Sequence, residues 1–537
     1  MRAYTHDEWA GLSFVPDLSD NGRPPTAPTW VDDVDARRLT AYRVLAAFRD
    51  NVRRYWLPDD MQHARITMGN RDGYIQVDRP ESTNWREYGD PALLVDTARA
   101  LILGEDQSIE LADDEQPAAA DPVLTWVQDW AGKERLTQKL LTGESNTVGL
   151  GDGVYVLAPD PGKGRPRLRV YDPGFYFPDT QTVVDGWVED DYPPIVHIAW
   201  EEEDTQGVAW VVRSTWMLRR LDVPRPAPWG GEPQVWACWF RKVRYRVDHL
   251  LDGATVYSPE ISRGGQVLQD WTDLGVDFIP VVHVPNTPTA SWGKSVLVGV
   301  GQILEDIAGT DTDLATGAQT SANPTFVSQS PVAPLRGVPG EQLGIPEGTT
   351  AGWTDTSKNL AALTGYLEHL LDRLAVNSRL ALSLLGRVQP NDVPSGYALA
   401  LGFHPARQLM RESRTVRDEK FPLILRFAVR LAMVNRWLPA GGVPDLTISL
   451  GASLPADLPQ AIATVKELLP VHGVSTATAV RILIDAGLPI EDAQAEVTAI
   501  LRERFEDAVN LFEATGNAAA AAKMLGVDPV VVPPLQA

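Results

Sequence analysis

The sequence predicts an α+β fold, in which a mixed α/β portion carries a long helical hairpin and ends in a helical region. Three observations predict it. Apolar residues recur at helical spacing first, at a spacing of two between residues 153 and 284, and at helical spacing again beyond that. Residues 322–356, between two helical stretches, hold five prolines (324, 331, 334, 339, 346) and five glycines (337, 340, 344, 348, 352), a density no long helix survives. The helical spacing then resumes from Tyr397 to Trp437, with prolines at 405 and 422, as one long kinked helix.

The elements follow in order. Residues 1–31 hold Pro16, Pro24, Pro25 and Pro28 with little period, and read as an arm that orders against a partner. Leu39, Tyr42, Leu45, Ala46, Val52 and Trp56 share one face of a helix over 32–56. Asp90-Pro91 and Asp121-Pro122 place a capping carboxylate before a proline at the first helical position. Helices should therefore begin near 91 and 122, the second running to about Asn146 and burying Leu124, Val127, Trp130, Leu136 and Leu140. Residues 153–157 and 168–171 flank the turn PDPGKG and predict a hairpin. Further strands are expected at 195–200, 208–213, 235–240, 243–249 and 280–284. Val296, Val300, Ile303, Leu304, Ile307, Leu314 and Ala318 mark one helix, with Gly293-Lys294-Ser295 at its start. Leu360, Leu363, Leu367, Leu370, Leu371, Leu374 and Leu385 mark a second over 358–385. The two helices pair, with the Pro/Gly knob at the tip. Short helices follow near 458–469, 476–486, 491–514 and 517–525.

Composition narrows the function. The chain has 537 residues, enough for about three to four domains. Acidic residues number 71 against 48 basic, a net charge of −23, which excludes a general nucleic-acid coat. The single cysteine, Cys238, can form neither an internal disulfide nor a Cys-based zinc site, and its apolar setting WACWF makes it a core residue. No secretory signal and no run of 18 apolar residues is present, so a soluble protein made inside the cell is expected, with no membrane contact.

Catalytic patterns fail on inspection. Gly293-Lys294-Ser295 lacks the preceding glycine of a phosphate-binding loop, where Pro288 stands instead. Asp311 and Asp313 lie two apart on a helix and point to different sides. The eight histidines are scattered, and no HExxH, GxSxG or GxGxxG occurs. The acidic stretch from Asp185 to Asp204 reads as a solvated rim. Residues 475–488 and 519–527 have helix-turn-helix outlines, but Arg481 and Lys523 stand almost alone where base-reading side chains belong. Neither a catalytic residue, a cofactor nor a metal site is expected. One segment breaks the acidic pattern. Between Gly396 and Trp437 there are eight basic and three acidic residues, and Arg407, Arg411 and Arg414 share one helix face. Pairing with the protein's own carboxylates is the favoured reading for these three; phosphate contact is the alternative.

Taken together, LGDGVYVLAP (150–159), RVYDPGFYFP (169–178), IPVVHVPN (279–286), the helix–knob–helix, PSGYALAL (394–401), the Arg-rich helix and GVSTATAVRILIDAGLP (473–489) resemble, in this order, a portal protein of a long-tailed double-stranded DNA phage. The resemblance covers about residues 32–510. It implies a wing at 32–290, a first stem helix at 291–321, a clip at 322–356 and a second stem helix at 357–386. A tunnel loop at 387–396, the long kinked helix at 397–437 and a crown and tail at 438–537 complete it. It further implies a dodecameric ring at one capsid vertex that conducts double-stranded DNA without reading sequence. The implied partners are the terminase large subunit, the head-tail adaptor, and the major capsid and scaffolding proteins. The place is the virion, after assembly in the host cytoplasm. Candidate channel residues are Arg387, Gln389, Asn391, Arg407, Arg411 and Arg414; candidate subunit contacts are Leu367, Leu371 and Leu374. A different capsid or head-tail connector protein is the nearer alternative, a hydrolase or nuclease the more distant one.

Overall fold

Secondary structure alternates as the two periods require, and the chain is mixed α and β throughout the computed structural model. The described residues are 33–50, 65–68, 75–78, 88–104, 107–111, 121–179, 192–203, 207–249, 255–259, 271–288, 292–322, 326–328, 351–353, 357–386, 402–451, 458–469, 474–485, 488, 493–516 and 520. They fall into two compact units, one of residues 1–102 and 108–449, the other of 103–107 and 450–537.

In the first unit, α1 (Asp33–Arg49) buries Leu39, Tyr42, Leu45, Ala46 and Phe48, while Val52 and Trp56 lie outside the described residues. The ribbon β1 (Arg65–Met68) and β2 (Ile75–Asp78) follows, then α2 (Asp90–Leu103) and β3 (Gln107–Leu111). The single helix expected from 122 to 146 is two helices, α3 (Pro122–Glu134) and α4 (Leu136–Leu150). Asp121 caps the first by accepting from Val123 N at 2.7 Å. Arg135 breaks the pair by taking a left-handed conformation, φ 55. That turn aims Glu134 inward, where it accepts from Lys139 Nζ, Arg165 Nε and Leu168 N. Val127, Trp130, Leu136 and Leu140 are buried as expected, and Leu124 only half so.

Strands β4 (Asp152–Asp160), β5 (Arg165–Tyr171) and β12 (Val281–Pro285) form an antiparallel sheet in the order β12-β4-β5. Helices α4 and α7 (His404–Val434) pack on it. A larger antiparallel sheet runs β10 (Thr255–Pro259), β9 (Gln234–His249), β8 (Ala209–Arg225), β7 (Ile195–Glu203), β6 (Tyr176–Asp179), with β11 (Thr272–Asp273) also on β9. The two strands expected at 235–240 and 243–249 are one, because Arg241-Lys242 offers no turn residue. Cys238 is buried in it, where desolvation pushes its thiol well up.

Helix α5 (Gly301–Ala322) starts later than expected, and α6 (Ser357–Ser378) stops earlier, at Arg379 with φ 59. They pack together, and the antiparallel ribbon β13 (Phe326–Ser328) and β14 (Ala351–Trp353) joins their far ends. Residues 329–350 of the knob lie outside the described residues. Helix α7 begins at His404 with Pro405 in its first turn, so Pro405 starts this helix and does not interrupt it; Pro422 lies inside. Its core-facing side buries Phe421, Ile424, Leu425, Phe427, Ala428, Leu431 and Met433. Burial of a large apolar side chain stabilises by about 1.5–3 kcal/mol each. Phe427 stacks on Phe278 with centroids 4.1 Å apart. Strand β15 (Leu446–Leu450) then pairs with β3.

In the second unit, α8 (Leu458–Leu468), α9 (Thr476–Asp485) and α10 (Ala493–Thr515) pack in sequence order. Val465, Ala479, Val480 and Ala508 are buried. Gly104, at φ 71, lies so close to the Gly451 carbonyl that a Cβ there would collide with it. Leu501, Phe505, Val509 and Phe512 form an exposed apolar stripe on α10. The helix expected at 517–525 falls almost wholly outside the described residues.

Glu134 makes the first unit acid-sensitive. Burial pushes its carboxyl up, but hydrogen bonds from Lys139 and Arg165, with the Lys139 charge and the Leu168 N–H, outweigh that and hold it below the usual range. A folded value below the unfolded one, about 4.3, gives stability that is complete above that pH and lost as pH falls through the folded value. Glu134→Gln should therefore lower the urea midpoint by a constant amount above about pH 5, and the gap to wild type should close below about pH 4. A gap that widens on acidification contradicts this account.

Candidate functional site

The feature that stands apart from the sheets is the α5/α6 hairpin, and its root is where the unusual side chains collect. The chain enters the hairpin through residues 292–300. There, Asn286 N donates to Gly151 O at 2.8 Å, Val296 N to Val148 O at 3.2 Å and Ser295 Oγ to Gly149 O at 2.8 Å. The segment is strapped to the C-terminal end of α4. Gly293-Lys294-Ser295 is therefore part of this strap and not the first turn of a helix, because Gly293 N donates to Asp152, Lys294 N to Thr287 Oγ1 and Ser295 Oγ to Gly149 O, and Leu297 N is capped by Ser295 Oγ at 3.0 Å. Gly151 and Gly293 touch backbone to backbone, so a Cβ on Gly293 would collide with Gly151 O and Asn286 N. Gly151 also has φ 108, which excludes a side chain independently.

Two buried carboxylates hold this root. Asp152 accepts from Tyr42 OH at 2.5 Å, His283 Nε2 at 2.7 Å and Gly293 N at 2.9 Å, joining α1, β12 and the strap. Burial, with Asp152 beside it, pushes the Tyr42 hydroxyl well up, so it stays a donor. The ring of Trp292 lies under the Arg38 guanidinium at 4.1 Å, and Arg38 also donates to Asp35, Pro173 O and Tyr176 O. The second carboxylate is Glu144. Arg417, 0% exposed, donates to Glu144 Oε2 through Nε at 3.2 Å and Nη2 at 2.8 Å. It also donates to Asn286 O and Asn286 Oδ1, each at 2.9 Å, and to Ser413 O at 3.1 Å. One guanidinium thus binds α4, Asn286 directly after β12, and its own helix α7.

These groups position backbone; they do not make a reactive set. No group of three or more His, Cys, Asp or Glu that could hold a metal exists among the described residues. Asp311 accepts from Tyr88 OH at 2.6 Å while Asp313 is exposed.

The sequence-predicted site residues separate. Arg387, Gln389 and Asn391 lie outside the described residues. Arg414 is half-buried and donates to Ile102 O at 2.8 Å, where it caps α2. Arg407 and Arg411 are exposed, and no ion pair of either is seen among the described residues. Their neighbour Glu412 pairs instead with Arg379 at 2.9 Å. Leu374 is 3% exposed, already covered within one chain and unavailable to a neighbour. Leu367 and Leu371 are half-exposed, beside Tyr366 at 49% and Val376 at 73%. Sequence reasoning missed Arg417, Glu144 and Asp152. Glu144 sits within a predicted buried helix face, and that misplaced charge was the available signal. No family model matches the chain, and no curated protein matches it.

Removing one partner of a buried ion pair leaves the other charge uncompensated. Arg417→Ala should cost about 3–5 kcal/mol in chemical unfolding, whereas Arg417→Met paired with Glu144→Gln should cost less than Arg417→Ala alone. Gly293→Ala should also destabilise, since the colliding atoms are backbone and cannot rotate away. A Gly293→Ala protein with an unchanged unfolding midpoint would show that the strap is not fixed.

Proposed function

We propose that this chain is the portal subunit of a tailed double-stranded DNA phage, a ring-forming conduit for genome packaging, retention and ejection. The observation that carries the reading is the α5/α6 hairpin, closed at its far end by the β13/β14 ribbon and rooted between β12 and α7. In this reading 32–290 is wing, 291–321 and 357–386 are stem, 322–356 is clip, 387–396 is tunnel loop and 438–537 is crown and tail. The terminase large subunit and later the head-tail adaptor dock on the clip, and capsid and scaffolding proteins surround the wing.

Two physical features support it. A conduit must let DNA slide, so its wall should neutralise few phosphates, because each one adds affinity and salt dependence. A net charge of −23 with exposed Arg407 and Arg411 suits that need: one arginine per subunit becomes a belt that touches phosphate without reading bases. A closed cyclic assembly also needs two different complementary surfaces per subunit. The half-exposed leucines with Tyr366 and Val376 on α6 supply one apolar surface.

Electron microscopy of the purified protein should show rings with a central hole; a protein that stays monomeric across a wide concentration range overturns the reading. Leu371→Asp should leave the subunit folded, by circular dichroism, yet prevent rings, because its charge would be desolvated only against a neighbour. Leu374→Asp should instead unfold the hairpin. If both variants form rings, α6 is not a subunit contact.

A further inference from the structure

The larger sheet presents one face to the core and one away from it. Ile198, Val212, Trp216 and Cys238 belong to the buried side. The register sets what the other side carries. His197 lies opposite Thr215, and Thr215 opposite Arg241, so these three form a row across β7, β8 and β9. Two residues along, Arg213 lies opposite Val243, and then Val211 opposite Tyr245. Trp271, just before β11, closes over the row. The result is a cleft of about 320 Å³, with Asp179 of β6 at one edge. That is at the small end of ligand pockets, about 300–1,000 Å³.

Charge in this cleft is poorly matched from within. Arg213 Nη2 lies 2.7 Å from His197 Nε2, to which it donates in the tautomer protonated on Nδ1, and the Nδ1–H then faces the Thr215 hydroxyl at 2.9 Å. Burial and the Arg213 charge push the His197 imidazole down to about 3, so at neutral pH it is an uncharged acceptor. Asp179 acts against that shift but does not cancel it. Arg213 itself is lowered by desolvation, with Tyr245 and Asp179 opposing. Arg241 stacks its guanidinium 5.8 Å from the Trp271 ring centre, and its Nε is buried without a hydrogen-bond partner. Among the described residues that line the cleft, two cations therefore face one carboxylate. A buried donor with no partner is costly, and guanidinium groups match the oxygens of carboxylates and phosphates.

We propose that this cleft binds a single oxyanion, a carboxylate or a phosphate monoester, carried on a small apolar or aromatic group. Arg213 and Arg241 take the anion's oxygens, and Thr215 donates its hydroxyl. Trp271 and Tyr245 cover the apolar part. The inference does not depend on the portal reading, since it uses only residues of one sheet face.

The test is isothermal titration calorimetry on the purified full chain at low salt with four probes: phenyl phosphate, benzoate, inorganic phosphate and benzyl alcohol. Phenyl phosphate or benzoate should bind at one site per chain, and the preferred one identifies the oxyanion. Inorganic phosphate should bind more weakly than phenyl phosphate, and benzyl alcohol not at all. Arg241→Gln should weaken binding about tenfold or more while the protein remains folded by circular dichroism in the absence of probe. Trp271→Leu should weaken phenyl phosphate more than inorganic phosphate. The proposal is overturned if neither aromatic anion binds, if Arg241→Gln binds as wild type does, or if benzyl alcohol binds as well as the anions.

Discussion

The buried pair of Arg417 and Glu144 is the constraint around which the first unit is arranged. A guanidinium with no solvent exposure must have its donors satisfied inside the protein, and its acceptors come from three residues in different parts of the chain, Glu144, Asn286 and Ser413. Glu144 fixes where α4 passes α7. The carbonyl and side chain of Asn286 fix where β12 ends. Such a pair adds little net stability over an apolar replacement, because desolvating both charges costs as much as their attraction returns. Its effect is on specificity: a shifted register of α7 against β4 and β12 would leave a bare charge in the core.

The second buried carboxylate extends this to the hairpin. Asp152 follows Gly151 at the start of β4, so the strand that Glu144's helix leads into also carries the acceptor for Gly293 N. The backbone contact between Gly151 and Gly293 lets the strap lie against α4 at hydrogen-bond distance. A side chain at either glycine would hold the two apart and break the bonds of Val296 and Ser295. The hairpin is therefore fixed at its base by polar contacts made before α5 begins, and its two helices need only pack on each other. Gly317 serves that packing, since a Cβ there would sit 2.9 Å from Leu360 Cδ2.

Much of this order is legible in the sequence because period and punctuation act locally. The change to alternating residues located β4, β5 and β12, and Asp121-Pro122 located the start of α3. What failed to show was decided at a distance. Arg135 breaks a continuous helical pattern because Glu134 finds Lys139 and Arg165 only once the sheet is in place. Residues 296–300 keep helical spacing, but Val296 N goes to Val148 O of α4, Leu297 N to Ser295 Oγ, and Val298 N and Val300 N make turn bonds three residues back, so α5 starts at Gly301. Arg407, Arg411 and Arg414 look alike on a helix wheel. Arg414 alone lies under the end of α2, whose carbonyls it caps, and no local pattern announces that neighbour. Arg417, on the same helix, reads as one more basic residue until its partner 273 positions away is known.

The same separation between near and far explains the apolar side chains left partly open. On α6, Leu370 and Leu374 are covered within the chain, while Leu367, Leu371, Tyr366 and Val376 keep exposed surface. A helix that packs on a single partner buries one stripe, about a third of its circumference. Apolar residues outside that stripe gain nothing from the hairpin itself. In an isolated subunit they are a liability for nonspecific association. In the proposed ring the liability has a defined outlet, since each subunit meets a neighbour on either side and closure covers every copy of the surface at once. Acidic excess works in the same direction, because like charge keeps free subunits apart until a complementary apolar contact of sufficient area forms. On the proposed function, assembly depends on shape and hydrophobic burial, while the strongly negative surface limits how firmly such a ring holds a polyanion passing through it.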